Sequence, residues 1–371
     1  MTVARIPFMS LRLGEDATAV DAAIRRVVDR GWFVLGPEVD AFEHAFAQAS
    51  GAAHAVGVGT GTDAIALILR ALGIGRGDEV ITAPLSAAYT ALAVMMAGAR
   101  PVFADLDADR LTLDPAAVRA AIGPDTAAIL PVHLYGQPAA MRELSAIATR
   151  HNLAMVEDCC QAHLATHEGR PVGSYSAAAA YSFYPTKNLG ALGDGGAITT
   201  GDAQLSDRLK RLRNGGQTDR YHHAEAGLNT RLDEIQAAVL AARLAFLPAW
   251  TARRRALAAV YRRELAGADV VVPPELDAGH VYHLFTVRSA RRDVLMTRLA
   301  DRGIETLIHY PVPIPRQPAL ASESPAVCPV ADRVCDEILS LPLYPAMTDA
   351  QAADVARAVG ETGREPTASR T

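Results

Sequence analysis

One lysine, Lys187, stands in Ser182-Phe183-Tyr184-Pro185-Thr186-Lys187-Asn188, between a core-like run and a glycine-rich loop. The apolar residues Ala177 to Tyr184 read as a buried strand that Pro185 ends. Gly190, Gly193, Gly195 and Gly196 then break any helix, and Ala197 to Thr199 resume a strand pattern. An amine set there is positioned by rigid backbone on both sides. Once desolvated, its pKa falls and the neutral amine can add to a carbonyl as a Schiff base. A solvated loop lysine fits the same residues equally well.

Two further stretches could do chemistry beside it. Gly59-Thr60-Gly61-Thr62-Asp63-Ala64 follows a short strand, Ala55 to Val58, and opens a helix that spaces Ile65, Ile68, Leu69 and Leu72 on one face. Small residues at a helix N-terminus make an anion site, while Thr60 and Asp63 also fit an ordinary capping box. Asp158 emerges from Ala154-Met155-Val156-Glu157, a buried strand pattern, so it needs a cationic or hydrogen-bonding partner. A structural aspartate is one reading. A carboxylate facing a protonated heterocycle nitrogen, with Gln161 reaching a phenolic oxygen on the same ring, is the other.

The elements that must carry these groups alternate. Strand patterns at Glu79–Ala83, Pro101–Ala104, Ala127–His133 and Leu153–Glu157 are separated by helical patterns at 86–98, 114–122 and 138–151. Such alternation calls for an α/β fold with a mostly parallel sheet between helices and ligands at the carboxyl ends of the strands. Gly59–Thr62, Asp158 and Lys187 all fall at those ends. Helical patterns also cover 16–30, 38–49 and 202–214. A longer one spaces Ile235, Val239, Ala242 and Phe246, with Pro248 as a kink or break. From Leu247 the chain reads as a second, smaller α/β unit, so domains 1–246 and 247–371 are expected. The polar tail beyond Glu361 reads as frayed.

Composition narrows the function. Half of the 371 residues are hydrophobic and the net charge is −5, which fits a globular enzyme and argues against a nucleic-acid partner. The longest uncharged apolar run, Ala87 to Ala99, is too short to cross a bilayer, and no export signal is visible, so a cytoplasmic protein is expected. Cys159, Cys160, Cys328 and Cys335 lack paired spacing, and His222 and His223 lack a nearby third ligand. No metal site is expected.

Taken together, Gly59–Ala64, Glu157–His163, Ser182–Gly196, Leu212–Gly215, Gly227–Gln236, His280–Phe285 and His309–Pro313 resemble the DegT/DnrJ/EryC1/StrS sugar aminotransferases. The resemblance runs in order over nearly the whole chain. It implies the aspartate-aminotransferase-like (type I) fold and the cofactor pyridoxal 5'-phosphate (PLP), with its aminated form PMP. It further implies that Lys187 binds the cofactor covalently and carries protons. Asp158 would pair with the ring nitrogen, Gln161 with the ring hydroxyl, and Gly61, Thr62 and Ser182 with the phosphate. Asn229 would reach the partner's active site in a homodimer. Phe33, Tyr184, His309 and Tyr310 would border the substrate.

Relatives often stack an aromatic residue on the cofactor where this chain has Ala87 or Ala88, leaving Tyr89 as the nearest ring. They often carry histidine where Pro315 stands. The expected reaction is transfer of nitrogen from L-glutamate to a nucleotide-linked keto-6-deoxyhexose in amino-sugar biosynthesis, for a secondary metabolite such as an antibiotic. A dTDP-3-keto sugar is favoured over a dTDP-4-keto sugar. Two alternatives are a non-catalytic PLP-binding sensor and an iron–sulfur sugar dehydratase. The lysine and the cysteine spacing weigh against the dehydratase.

Overall fold

Seven short runs rich in Ala, Val and Ile form one sheet. They are β1 (His54–Val58), β2 (Glu79–Thr82), β3 (Arg100–Phe103), β4 (Thr126–Leu130), β5 (Ala154–Asp158), β6 (Ala178–Ser182) and β7 (Gly196–Thr200). The computed structural model describes residues 5–321 and 325–364. The strand order is β1-β7-β6-β5-β4-β2-β3. Pairing is parallel from β3 across to β6, and β7 runs antiparallel to both β6 and β1. The lysine loop accounts for that reversal, because it leaves β6 and re-enters β7 at the same edge.

The expected elements are present with shifted ends. Asp158 is the last residue of β5 rather than the first beyond it, and the helix expected from residue 86 begins at Tyr89. The helix Gly61–Ala71 buries more than one face: Ala64, Ala66 and Leu67 are buried beside Ile65, Ile68 and Leu69, and Leu72 lies past its end. It is enclosed by the sheet and by the helices Tyr89–Ala97 and Ala203–Leu212, which explains its nearly continuous apolar sequence. The long pattern after Asp233 is two helices, Glu234–Leu244 and Leu247–Glu264, meeting at 61°. Pro248 sits in the first turn of the second, where no hydrogen bond is lost. On the first, Ala237, Ala238, Val239 and Leu240 are fully buried, whereas Ile235 and Ala242 are half-buried beside Ala23 and Val27.

Toward the C-terminus, Phe285–Arg288 pairs antiparallel with Ile338–Leu341. That second strand and the helix Pro329–Glu337 before it gave no signal in the sequence, because Ile338-Leu339-Ser340-Leu341 is too short to show a period. Leu257, Tyr261, Phe285, Leu339 and Val355 form a separate apolar cluster, which Ile6 joins through a bridge to Ile304. The last helix is Asp349–Arg364, and the rest of the polar tail lies outside the described residues. Among the described residues no single helix is long and apolar enough to cross a membrane.

One buried acid ties distant parts together. Glu234, fully buried, accepts hydrogen bonds from the amides of Gly36 (2.9 Å), Glu38 (3.0 Å) and Val39 (2.8 Å) at the start of the helix Pro37–Ala49. Those are amides that a helix leaves unpaired, and a carboxylate also complements the helix dipole. Glu234→Ala is expected to lower the unfolding free energy by about 3 kcal/mol, read from urea titration. A change below about 0.5 kcal/mol would contradict this role.

Candidate active site

Strand β5 holds two acids facing opposite ways, as neighbouring strand residues must. Glu157, on one side, accepts from the amides of Gly173 (2.7 Å) and Tyr175 (3.0 Å), from Ser176 Oγ (2.8 Å) and from His133 Nε2 (3.0 Å). His133 Nδ1 accepts the Ala139 amide at 3.0 Å, which puts its proton on Nε2. Cys159 completes a buried trio whose ligand atoms lie within 4.8 Å of one another. The histidine lone pair and the carboxylate are already committed to protein donors, and burial pushes the thiol pKa well up. The trio braces the strand.

Asp158, on the other side, accepts from Thr90 Oγ1 at 2.8 Å and from the Cys160 amide at 3.1 Å. Its backbone is fixed by Asp158 N to Pro131 O (2.9 Å) and His133 N to Asp158 O (3.1 Å). Gln161 is equally constrained. Its Oε1 accepts the Tyr135 amide at 2.7 Å, which sets the flip of the side-chain amide, and Nε2 donates to Tyr310 Oη at 3.1 Å.

Lys187 is the second ionisable group at this edge. Burial lowers its pKa, opposed by the nearby Cys160 and Asp158. Among the described residues no ion pair or side-chain hydrogen bond ties its Nζ. The loop around it is braced by Leu192 N to Gln236 Oε1 (2.9 Å), Ala191 N to Phe183 O (2.7 Å), Asn188 Nδ2 to Val281 O (3.1 Å) and an Arg243 bond to Gly190 O. Gly190 is required there, since a Cβ would lie 2.5 Å from Pro185 O. The chain has only one other lysine, Lys210, and that one is exposed.

The third component is the helix start after β1. Thr60 Oγ1 accepts the Asp63 amide (3.0 Å), so Thr60 caps the helix, while the Asp63 carboxylate accepts the Thr60 hydroxyl (2.9 Å) in place of the backbone N–H of a full capping box. The amides of Gly61 and Thr62 find no protein acceptor among the described residues. A Cβ on Gly61 would lie 2.7 Å from Cys160 Sγ and 2.8 Å from Ser182 Cβ, and one on Gly196 would lie 2.4 Å from Thr60 O. The helix start therefore packs directly against β7 at Gly196 and against the Ser182 and Cys160 side chains, with no room for a side chain on Gly61 or Gly196. His163 Nε2 contacts Ser182 O at 2.9 Å, and burial beside Lys187 drops its pKa to about 3, so it is neutral and donates.

The remaining expected residues lie further out. Tyr89 is 65 % exposed, one residue from Thr90. Tyr184 is exposed two residues beyond Ser182, and Phe33 is exposed with its carbonyl on Glu234 N (3.0 Å). Asn229 is exposed in a bridge to Asn214, while the next residue, Thr230, bonds Gly59 N (2.9 Å) and Asp63 Oδ2 (2.8 Å). His309 stacks on Phe8, bonds Ser340 Oγ at 2.9 Å and is held by burial at a pKa of about 4. The sequence reading missed Thr90, Tyr135 and His163. Thr90 could have been suspected from its place beside Tyr89, whereas the Tyr135 contact to Gln161 is made by a backbone N–H and leaves no signal.

These groups fit the cofactor that the resemblance implied. Unpaired helix-start amides with glycine clearance suit a phosphate, Asp158 suits a ring nitrogen, and Lys187 is a desolvated amine suited to an aldehyde.

Comparison with known proteins agrees. The sequence profile of the DegT/DnrJ/EryC1/StrS aminotransferase family matches residues 15–360. The chain is 50% identical over 363 residues to a dTDP-3-amino-3,4,6-trideoxy-alpha-D-glucose transaminase of Streptomyces venezuelae, covering 96% of each. It is 49% identical to the erythromycin biosynthesis sensory transduction protein EryC1 of Saccharopolyspora erythraea, covering 92% of this chain and 94% of that one. The crystal structure of DesV from S. venezuelae superposes with a TM-score of 0.95 at 49% identity, covering 98% and 99% of the two chains.

With two lysines in the chain, the covalent site can be read directly. Borohydride reduction of the protein loaded with PLP is expected to fix the label on the peptide holding Lys187, read by mass spectrometry. A label confined to Lys210 would contradict the site. Gly61→Ala is expected to weaken PLP binding at least tenfold in spectroscopic titration, and unchanged affinity would contradict the cradle.

Proposed function

This chain belongs to the DegT/DnrJ/EryC1/StrS aminotransferase family, and on that premise we propose that it moves nitrogen from L-glutamate to C-3 of a dTDP-linked 3-keto-6-deoxyhexose. It is a PLP-dependent aminotransferase. The observation that carries the choice of sugar is the high identity, over nearly its full length, to a relative named for a dTDP-3-amino sugar.

The cofactor supplies an electron sink for the charge left when a proton leaves carbon. Everything else falls to the chain. Lys187 Nζ would hold the cofactor covalently and, when free, would carry the proton between carbon positions, a task suited to an amine whose pKa burial has lowered. Asp158, held by Thr90 and Cys160, keeps a proton on the ring nitrogen. Gln161 donates to the ring hydroxyl. The Gly61 and Thr62 amides and the Ser182 hydroxyl would hold the phosphate, with Tyr89 the nearest ring to cover the cofactor.

The working unit in this reading is a homodimer in which Asn229 reaches the partner's phosphate site. The exposed Trp32, Phe33, Val34 and Met96 support such an interface. Phe33, Tyr184 and His309 would border the nucleotide sugar. We also read the chain as a large unit to residue 246 and a smaller one beyond it, in the cytoplasm.

The reverse reaction tests this most simply. Given 2-oxoglutarate and a panel of dTDP-3-amino and dTDP-4-amino sugars, the enzyme is expected to consume a 3-amino sugar and release glutamate, followed by chromatography. Consumption of 4-amino sugars alone would move the reaction to C-4.

A further inference from the structure

Tyr310 was expected at the substrate, yet its hydroxyl lies 3.1 Å from Gln161 Nε2. The opposite end of the same amide is pinned by the Tyr135 N–H at 2.7 Å. A side-chain amide has two N–H donors and one carbonyl. With the carbonyl on Tyr135 and one N–H on Tyr310, Gln161 keeps one donor uncommitted and cannot rotate without breaking both bonds.

Tyr310 is itself held in place. Tyr135 Oη bonds the carbonyl of His309, His309 Nδ1 bonds Ser340 Oγ at 2.9 Å, and Ile314 N bonds Pro84 O at 2.8 Å. Tyr135 thus fixes both ends of the arrangement, Gln161 through its amide and the Tyr310 segment through its hydroxyl. The Tyr310 ring packs against the core around β5, and its phenol stays protonated because burial pushes its pKa up to about 12.

We propose that Tyr310 is a positioning residue for the cofactor rather than a substrate contact, acting through Gln161 to hold one N–H donor for the cofactor's phenolic oxygen. This rests on the role given to Gln161 above. A donor at that oxygen draws off negative charge that otherwise helps the Lys187 nitrogen, once joined to the cofactor, to keep its proton. Loosening the donor therefore raises the pH at which the bound cofactor changes its visible absorption.

Tyr310→Phe removes only the hydroxyl and keeps the ring packing. Its pH midpoint is expected to rise by about one unit, a tenfold gain in proton affinity, with an unchanged melting temperature. Gln161→Ala is expected to rise at least as far, and adding Tyr310→Phe to it is expected to change nothing more. A Tyr310→Phe midpoint equal to that of wild type, beside a raised Gln161→Ala midpoint, overturns the inference and leaves Gln161 its role. A further rise in the double variant overturns the route through Gln161. A wild-type midpoint in Gln161→Ala overturns the reading of Gln161 itself.

Discussion

A carboxyl group and an amine buried at one edge of a sheet, and held apart from each other, are what this structure is arranged to sustain. Asp158 and Lys187 feel one another electrostatically, yet no ion pair joins them. A buried carboxylate without partners is costly, and the fold supplies them from outside the pair: a threonine hydroxyl and a backbone amide. The lysine loop is fastened instead at its backbone by Gln236 and Arg243, and through the Asn188 side chain, which donates to Val281 O. Loop and strand are therefore each fixed without a contact between Asp158 and Lys187. That separation leaves both groups available to a ligand.

The same logic explains the pattern of glycines and acids around the edge. Gly61 and Gly196 are small because the Thr60–Gly61 backbone, Ser182 and β7 converge there. Glu157 braces the strand from the face opposite Asp158, so adjacent acids do unrelated work. Amine usage is similarly narrow. Of 36 basic residues two are lysines and the rest are arginines. Arginine does not lose its proton in proteins, so Lys187 and the exposed Lys210 are the only side-chain amines that could act on a carbonyl.

Much of this was legible in the sequence, for identifiable reasons. Lys187, Asp158 and Gly59–Thr62 each follow a strand pattern, and parallel α/β order sends such positions to a common edge. The supports were harder to see. Thr90 and Gln161 find their partners across long chain separations, and Tyr135 contributes a main-chain N–H that any residue could supply. Periodicity found the helix Gly61–Ala71 and its buried Ile65, Ile68 and Leu69 but not Ala64, Ala66 and Leu67, because the helix is covered on several sides. Ile338–Leu341 stayed hidden because a four-residue strand, wholly buried, carries no alternation. Family membership supplied what physics could not: the identity of the phosphorylated aldehyde that suits the edge.

The central claim is that Asp158 keeps a proton on the ring nitrogen of the cofactor bound at Lys187. The nitrogen-15 chemical shift of ring-labelled PLP in the loaded protein reads this directly. A protonated-pyridine shift in the wild type, lost in Asp158→Asn, is the result expected. A neutral-pyridine shift in the wild type, or one indifferent to Asp158, would contradict the account.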